Sequence, residues 1–307
     1  GIQRRVVLMA NETELKARME SIEDTRKITN AMYLISSSKM KRAKQRLADT
    51  EPYFFTLQNA VARLLRHVPD IENQYLEKED PSRNSEKTGI LVITADKGMA
   101  GAYNQNVLKL AQETIRQREE AGAEKPALYV VGEIGRAYFE QRRIPFDSQF
   151  HYTIQKPTMH RARVIAQTLL SQYRAGALTE VLIIYTQMKN AMESEAKLQQ
   201  LLPLHRAHFD QPGLSSYGEE MTYLPSPEAA LESIVPNYVA GYIYSALVEA
   251  YSSEQNARMN AMRSATESAN DMIRSLRISC NRIRQSSITQ EITEVAGGAR
   301  ALKEENR

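Results

Sequence analysis

From Asn237 to Ala296 the chain has no proline and a single glycine, Gly241, and good helix formers dominate. Read as one helix, these roughly 60 residues rise about 90 Å at about 1.5 Å each. The segment able to form a globular body, residues 88–221, should be only about 35–40 Å across. A helix of that length outruns its own domain and needs something else to lie on.

Composition narrows the class. Length, 307 residues, allows one large or two modest domains. Apolar content of 42% and charged content of 25% are those of a soluble globular protein. No apolar run approaches a membrane span. The one cysteine, Cys280, excludes an internal disulfide framework and a multi-cysteine metal site. The opening GIQRRVVL is basic and apolar but too short for a signal peptide. Met9-Ala10 reads as a more natural start, so residues 1–8 are expected to be an extension with no role in the fold.

Asn11, with Glu14 three residues on, resembles a capping box and is expected to open the first helix. Small or apolar residues then recur at steps of 3 or 4: Leu15, Met19, Ile22, Thr25, Thr29, Met32, Ser36, Met40, Ala43 and Leu47. This is a heptad-like seam, and its small members predict close helix approach. Pro52 is expected to kink or break the helix before Tyr53–Arg66. Between Thr25 and Ala48 stand seven basic residues, Arg26, Lys27, Lys39, Lys41, Arg42, Lys44 and Arg46, and no acidic one. Such a run is either a solvated face or a docking stripe for an acidic partner or nucleic acid. Only Tyr33 interleaves it, which argues against a stacking platform for single strands.

Residues 67–87, polar with Pro69 and Pro81, read as a linker. Strands are expected at Gly89–Ala95, Ala127–Val131 and Glu180–Tyr185, with a short edge strand at Ile144–Phe150. Helices are expected at Ala102–Glu120, Glu133–Arg142 and His160–Ala175. The alternation predicts an α/β layer with a mainly parallel sheet. Met188–Leu204 fits helix or strand. Tyr217–Pro227 reads as loop, and the last helical region begins at Glu228, with a break or bend at Pro236. Its seam runs Met262, Ala265, Ala269, Met272, Leu276, Cys280, Ile283 and Ser287, with one departure from strict alternation of 3 and 4. Its partner is expected to be the N-terminal helix, antiparallel. The apolar positions continue as Ile288, Ile292 and Val295 before Gly297 and Gly298, which should stop the helix. An apolar stripe on such a tip predicts a partner pocket.

Candidate chemistry is thin. Asp96–Gly101 follows a strand and precedes a helix, yet lacks both glycine patterns of phosphate-binding turns, and Gly132–Gly135 holds only GxxG. Both read as ordinary strand-to-helix turns. His205 and His208 lack the carboxylates or cysteines that would complete a metal site. Glu291 and Glu294 share a face on a bare tip, where general acid–base work has no pocket. Cys280 lies on the seam and reads as packing. No catalytic, metal or cofactor residue is expected.

Three stretches carry a resemblance. Ser21-Ile22 with Thr25–Met32 and Ser38-Lys39-Met40, the central Ile93–Gly98 with Gly101–Asn104, and the C-terminal Ser253–Met262 with Asn281–Glu294 resemble the gamma subunit of F-type ATP synthases. The likeness spans nearly the whole chain in order. It implies a central-stalk rotor, not catalytic by itself, that couples ion flow through the membrane c-ring to ATP synthesis or hydrolysis at the ring of three alpha and three beta subunits. The expected fold is α/β: a long antiparallel coiled coil of the terminal helices, residues 9–66 and 222–307, plus a Rossmann-like, mainly parallel α/β domain at 88–221. Implied partners are the alpha, beta and epsilon subunits and the c-ring, with no nucleic acid and no cofactor. The resemblance assigns Met32, Lys39, Lys41, Arg42, Arg284, Gln285 and Thr289 to beta-subunit contact. It assigns Tyr223, Leu224, Pro225 and Ser226 to the c-ring, and Ile288, Ile292 and Val295 to the apex bearing.

Two features depart from the family pattern: Met99-Ala100 replaces Leu-Cys, and the tail from Arg300 to Arg307 is long and charged. No cysteine-bearing insertion follows Tyr185, so the thiol switch of the chloroplast type is expected to be absent. With no transit peptide in view, the expected place is the cytoplasmic face of a bacterial plasma membrane. The competing readings are a coiled-coil nucleic-acid-binding arm using residues 26–46, which predicts salt-sensitive binding, and a nucleotide-dependent enzyme built on residues 88–221.

Overall fold

A computed structural model describes residues 2–77, 87–190, 193–210 and 225–305, with side chains over 12–77, 87–190, 193–210 and 225–300. Helix α1 (Ile2–His67) and helix α5 (Pro227–Glu305) bracket the α/β elements: β1 (Thr88–Ile93), α2 (Tyr103–Glu120), β2 (Ala127–Val131), α3 (Glu133–Gln141), α4 (Met159–Arg174), β3 (Glu180–Met188), β4 (Ser194–Leu202) and a 3₁₀ turn at Arg206–Phe209. The chain divides into two compact units, residues 36–258 and residues 1–35 with 259–307.

In the larger unit the strand order is β2-β1-β3-β4. β1 is parallel to β2 and β3, and β4 is antiparallel to β3, with Ile184 opposite Leu198. The Gly-Ile-Leu-Val-Ile run of β1 is buried throughout, as a strand covered on both faces requires. Side chains alternate across the sheet with period two. Ile90, Val92, Val130, Leu182 and Ile184 pack with Val107, Leu108 and Phe139 of α2 and α3. Leu91, Ile93, Val131, Val181 and Ile183 face the other way, into a cluster with Ile165 and Leu169 of α4, Leu64 of α1 and Val239, Ile243 and Leu247 of α5. The apolar face of α5 is thus the floor of the larger core. Gly241 has a local reason there: a Cβ on it would stand 2.9 Å from the Phe54 ring of α1, and Phe54 stacks on Tyr238 at 5.4 Å.

Several expectations fail, each for a physical reason. α1 runs on through Pro52 and α5 through Pro236, so neither proline breaks its helix. Ala48 and Glu232, whose carbonyls lose a donor, are exposed, so water can take the donor's place. α1 begins at Ile2, so Asn11 lies inside the helix and residues 1–8, expected outside the fold, are helical from Ile2 on. Gly297 and Gly298 do not end α5. A helical glycine costs only about 1 kcal/mol against alanine, and Ala296, Ala299, Ala301 and Leu302 around the pair are good formers. Ile144–Phe150 forms no strand, because the Asp147 carboxylate accepts from the backbone N–H groups of Gln149 and Phe150 and bends the chain. Part of the expected linker is core: Ile71, Tyr75 and Leu76 are buried, and Arg206 holds the segment by donating to the Pro69 and Ile71 carbonyls at 2.7 and 2.5 Å.

Candidate functional site

In the smaller unit the two helices meet antiparallel. The Thr29 and Thr266 hydroxyls bond at 2.7 Å, Glu23 lies in the field of Arg277, and Lys16 in that of Arg284. The seam on α5 is stricter than the sequence suggested. Ile273 is 7% exposed and Met272 55%, so Ile273 is the packing residue. With Thr266 and Ile273 in the series, Met262, Thr266, Ala269, Ile273, Leu276, Cys280, Ile283 and Ser287 alternate steps of 4 and 3 throughout. On α1, Thr25 likewise gives way to half-buried Arg26; Thr25 is exposed and donates back to the Ser21 carbonyl. Thr29 and Ala269 are buried on the seam, and the bond between the Thr29 and Thr266 hydroxyls shows that the helices approach closely there.

The outer faces are unlike the seam. Arg284, Gln285 and Thr289 are exposed on neighbouring turns of α5, and Thr289 donates to the Gln285 carbonyl at 2.9 Å. Ile288, Ile292 and Val295 are 49, 64 and 74% exposed, and their spacing keeps them on one stripe. Met32 is half-buried. A shallow cleft beside the seam is lined by Glu23, Arg26, Arg274 and Arg277.

In the larger unit Lys39, Lys41 and Arg42 are exposed on α1, and Arg42 donates to the Ser38 hydroxyl at 3.1 Å. Ser226 accepts from the Ala229 N–H at 3.3 Å, and Pro227 takes the first helical position, where no N–H is needed. Pro225 is exposed beside it; Tyr223 and Leu224 lie outside the described residues.

A second constellation lies in a stretch that the sequence reading named only for its resemblance, Ser253–Met262, and in Ser252 before it. Ser252, Ser253, Glu254, Gln255 and Asn256 are consecutive, polar and buried on α5, with Arg258 beyond them. Arg258 Nη1 meets Glu254 Oε1 at 2.7 Å. Its other nitrogens donate to the Gly98 carbonyl at 3.0 and 3.3 Å and to the Lys97 carbonyl at 3.0 Å. Tyr103 Oη donates to the Ala250 carbonyl at 3.0 Å, and Ser253 Oγ to the Thr186 carbonyl at 3.3 Å. Burial pushes the Glu254 carboxyl above its ordinary value, against the pull of Arg258, and burial raises the Tyr103 phenol too. A run of polar residues reads as solvated by periodicity alone. Only the i, i+4 spacing of Glu254 and Arg258 hinted at a pair.

The strand-to-helix turns are occupied by their own structure. Asn104 Oδ1 accepts from the Ala95 N–H at 2.9 Å. The Asp96 carboxylate accepts from the Thr153 hydroxyl and from the Glu133 and Gln155 N–H groups. Gly132 has φ +93, and a Cβ there would lie 2.2 Å from the Thr94 carbonyl oxygen, so the first glycine of the GxxG turn serves close packing. His205 bonds Glu77 at 2.5 Å. Among the described residues no cluster of His, Cys, Asp and Glu could hold a metal ion.

Comparison with known proteins places this geometry. A family model described as ATP synthase matches residues 11–302. The ATP synthase gamma chain of Caldanaerobacter subterraneus subsp. tengcongensis is 40% identical, over 93% of this chain and 98% of that one. A sodium-ion-specific ATP synthase gamma chain of Acetobacterium woodii is 33% identical, over 95% of this chain and 99% of its own. Among solved structures, the central stalk and c-ring assembly of Tetrahymena thermophila mitochondrial ATP synthase holds a chain that is 26% identical with TM-score 0.58, covering 78% of this chain and 99% of that one. A nucleic-acid-binding arm finds no support among them.

Proposed function

We infer how the molecule works from one premise: the chain belongs to the ATP synthase family and is similar along nearly its whole length to the gamma chains. It is the central-stalk rotor subunit of the F1 part, the peripheral part of the complex. Its partners are the alpha and beta subunits and the c-ring. No described helix is long and apolar enough to cross a membrane. Ion flow turns the c-ring, the c-ring turns this chain, and the turning chain drives the beta sites through ATP synthesis or, in reverse, is driven by hydrolysis.

The chain is proposed to act mechanically, with the chemistry left to the beta subunits. The observation that carries this is the helix pair: a 4–3 seam on α5 of small and aliphatic residues inside, and exposed apolar and basic side chains outside. Exposed apolar side chains on such a pair suit partners that close around it. Arg284, Gln285, Thr289, Met32, Lys39, Lys41 and Arg42 are proposed to meet the beta subunits, and Ile288, Ile292 and Val295 to turn in an apolar bearing at the apex. The loop with Tyr223, Leu224, Pro225 and Ser226 is proposed to meet the c-ring, and the epsilon subunit to sit against the α/β domain. The proposed place is the cytoplasmic face of a bacterial plasma membrane. β3 ends at Met188 and β4 begins at Ser194, so the chain carries no long insertion between these strands.

Reconstitution tests the reading. The purified chain is mixed with cognate alpha and beta subunits, and complex mass and ATP hydrolysis are followed beside the chain alone. One chain per six-subunit ring, with sustained turnover, is the expected result. Failure to assemble, with hydrolysis by the chain alone, would refute it.

A further inference from the structure

A rotor must pass torque between its α/β domain and its helices, and apolar packing is poorly suited to that task alone. Hydrophobic contact is non-directional, so it resists separation better than sliding. A guanidinium fork is directional and fixed in plane. In the larger unit one such fork is buried where the α/β layer meets α5: the Glu254–Arg258 pair, closed onto the Lys97 and Gly98 carbonyls.

We propose that Glu254 and Arg258 form the torsional joint of the larger unit, locking the turn after β1 to α5 so that the α/β domain and the helix turn as one body. The inference rests on the rotor reading above. Three observations lead to it. First, a buried ion pair is a weak source of stability, and apolar side chains of the same volume often serve as well or better; its presence suits a need for directional contact. Second, the turn is bent to serve the fork. Met99 takes φ +60, a conformation costly for a side chain with a Cβ, and two successive carbonyls reach one guanidinium. Third, the same stretch of α5 is tied to two further elements. Tyr103, the first residue of α2, donates to Ala250, and Ser253 donates to Thr186 of β3. Contacts from three separate elements to residues 250–258 oppose twist about the helix axis as no single contact could. Glu254 and Arg258 are therefore positioning residues, which act through the backbone they hold.

The test uses the assembled complex. Arg258→Lys keeps the charge and loses the fork; Glu254→Gln keeps the shape and loses the charge. Arg263→Lys, in an exposed pair with Glu267, is the control. A rotation marker is fixed to the α/β domain through Lys109→Cys in a Cys280→Ser background, on soluble complexes with immobilised beta subunits. In parallel, ATP-driven ion pumping is measured in the membrane-bound enzyme. The joint variants are expected to assemble and hydrolyse ATP like the wild type. The marker's angular spread at each dwell should widen, and ion pumping per ATP should fall against an opposing gradient, with the control unchanged. A spread and a pumping ratio equal to wild type in the joint variants would overturn the proposal. So would failure of both to assemble, since the pair would then be a folding requirement. A wild-type chain that does not rotate would instead overturn the rotor reading on which the proposal rests.

Discussion

Ile183 and Ile292 are the same residue in opposite circumstances. Ile183 of β3 is wholly buried between the layers of the larger unit, whereas Ile292 on the helix pair is 64% exposed. The difference extends to the units around them. The larger unit closes on two clusters of large aliphatic and aromatic side chains, and its sheet is covered on both faces. In the smaller unit the seam mixes small and aliphatic residues, while Ile28, Met272, Ile278, Ile288, Ile292 and Val295 are exposed. One unit has the means to fold by its own burial. The other leaves large apolar side chains exposed, which fits the proposed role of a shaft that partners surround. Polar chemistry differs too: the larger unit buries the Glu254–Arg258 pair, whereas the Glu23–Arg26 pair of the smaller unit stays partly exposed.

The largest expected effect is Ile183→Ala, which should cost about 2–5 kcal/mol by denaturant unfolding of the free chain. A cost near zero would mean that the larger unit does not stand on its core. Gly132→Ala should cost about 1–3 kcal/mol in the same assay, because the residue is held at positive φ against the Thr94 carbonyl. Thr29→Val removes the hydroxyl pair with Thr266 from the seam and should cost about 1 kcal/mol. That loss should appear as faster amide exchange in α1 near residue 29, with no change in the midpoint of the larger unit. Lys41→Ala removes one exposed charge, worth roughly 0.2–1 kcal/mol, and should weaken coupling between ion pumping and hydrolysis only mildly; its complete loss would show that a single exposed charge carries the contact.

The smallest effect is on pH dependence. Burial raises the Glu254 carboxyl above its ordinary value of 4.5. In that window the folded state binds more protons than the unfolded one, so stability falls as pH rises through the raised value. Relative to Glu254→Gln, the wild type should therefore gain stability as pH drops from above that value toward 4.5. Melting of both proteins across that range checks the sign.

How much was legible depended on whether the deciding interaction was local. The strands β1, β2 and β3 announced themselves as apolar runs, and the heptad spacing gave the helix pair and its antiparallel partner. The seam was read one residue off at Thr25 and Met272, both exposed, because a 3–4 series over mixed small and apolar residues leaves the choice between neighbours to the partner helix. Helix ends were misread at Asn11 and Gly297, and neither Pro52 nor Pro236 breaks its helix, since capping and breaking signals are worth only about 1–3 kcal/mol and the good helix formers around them outweigh that. The buried run Ser252–Asn256 was illegible: its burial follows from what the turn after β1 brings across to it, a contact distant in sequence. The exposed candidates Arg284, Gln285 and Thr289 came from resemblance, and no periodicity would have selected them.

The most direct test of the contrast between the two units is amide hydrogen exchange on the free chain and on the chain assembled with cognate alpha and beta subunits. In the free chain, amides of β1 and β3 should be strongly protected, and those of residues 12–35 and 259–300 weakly. Assembly should raise protection sharply in the helix pair and leave the sheet nearly unchanged. Helix-pair amides as protected in the free chain as those of β1 and β3, with no gain on assembly, would contradict the claim that this part of the molecule is built to be held by a surrounding ring.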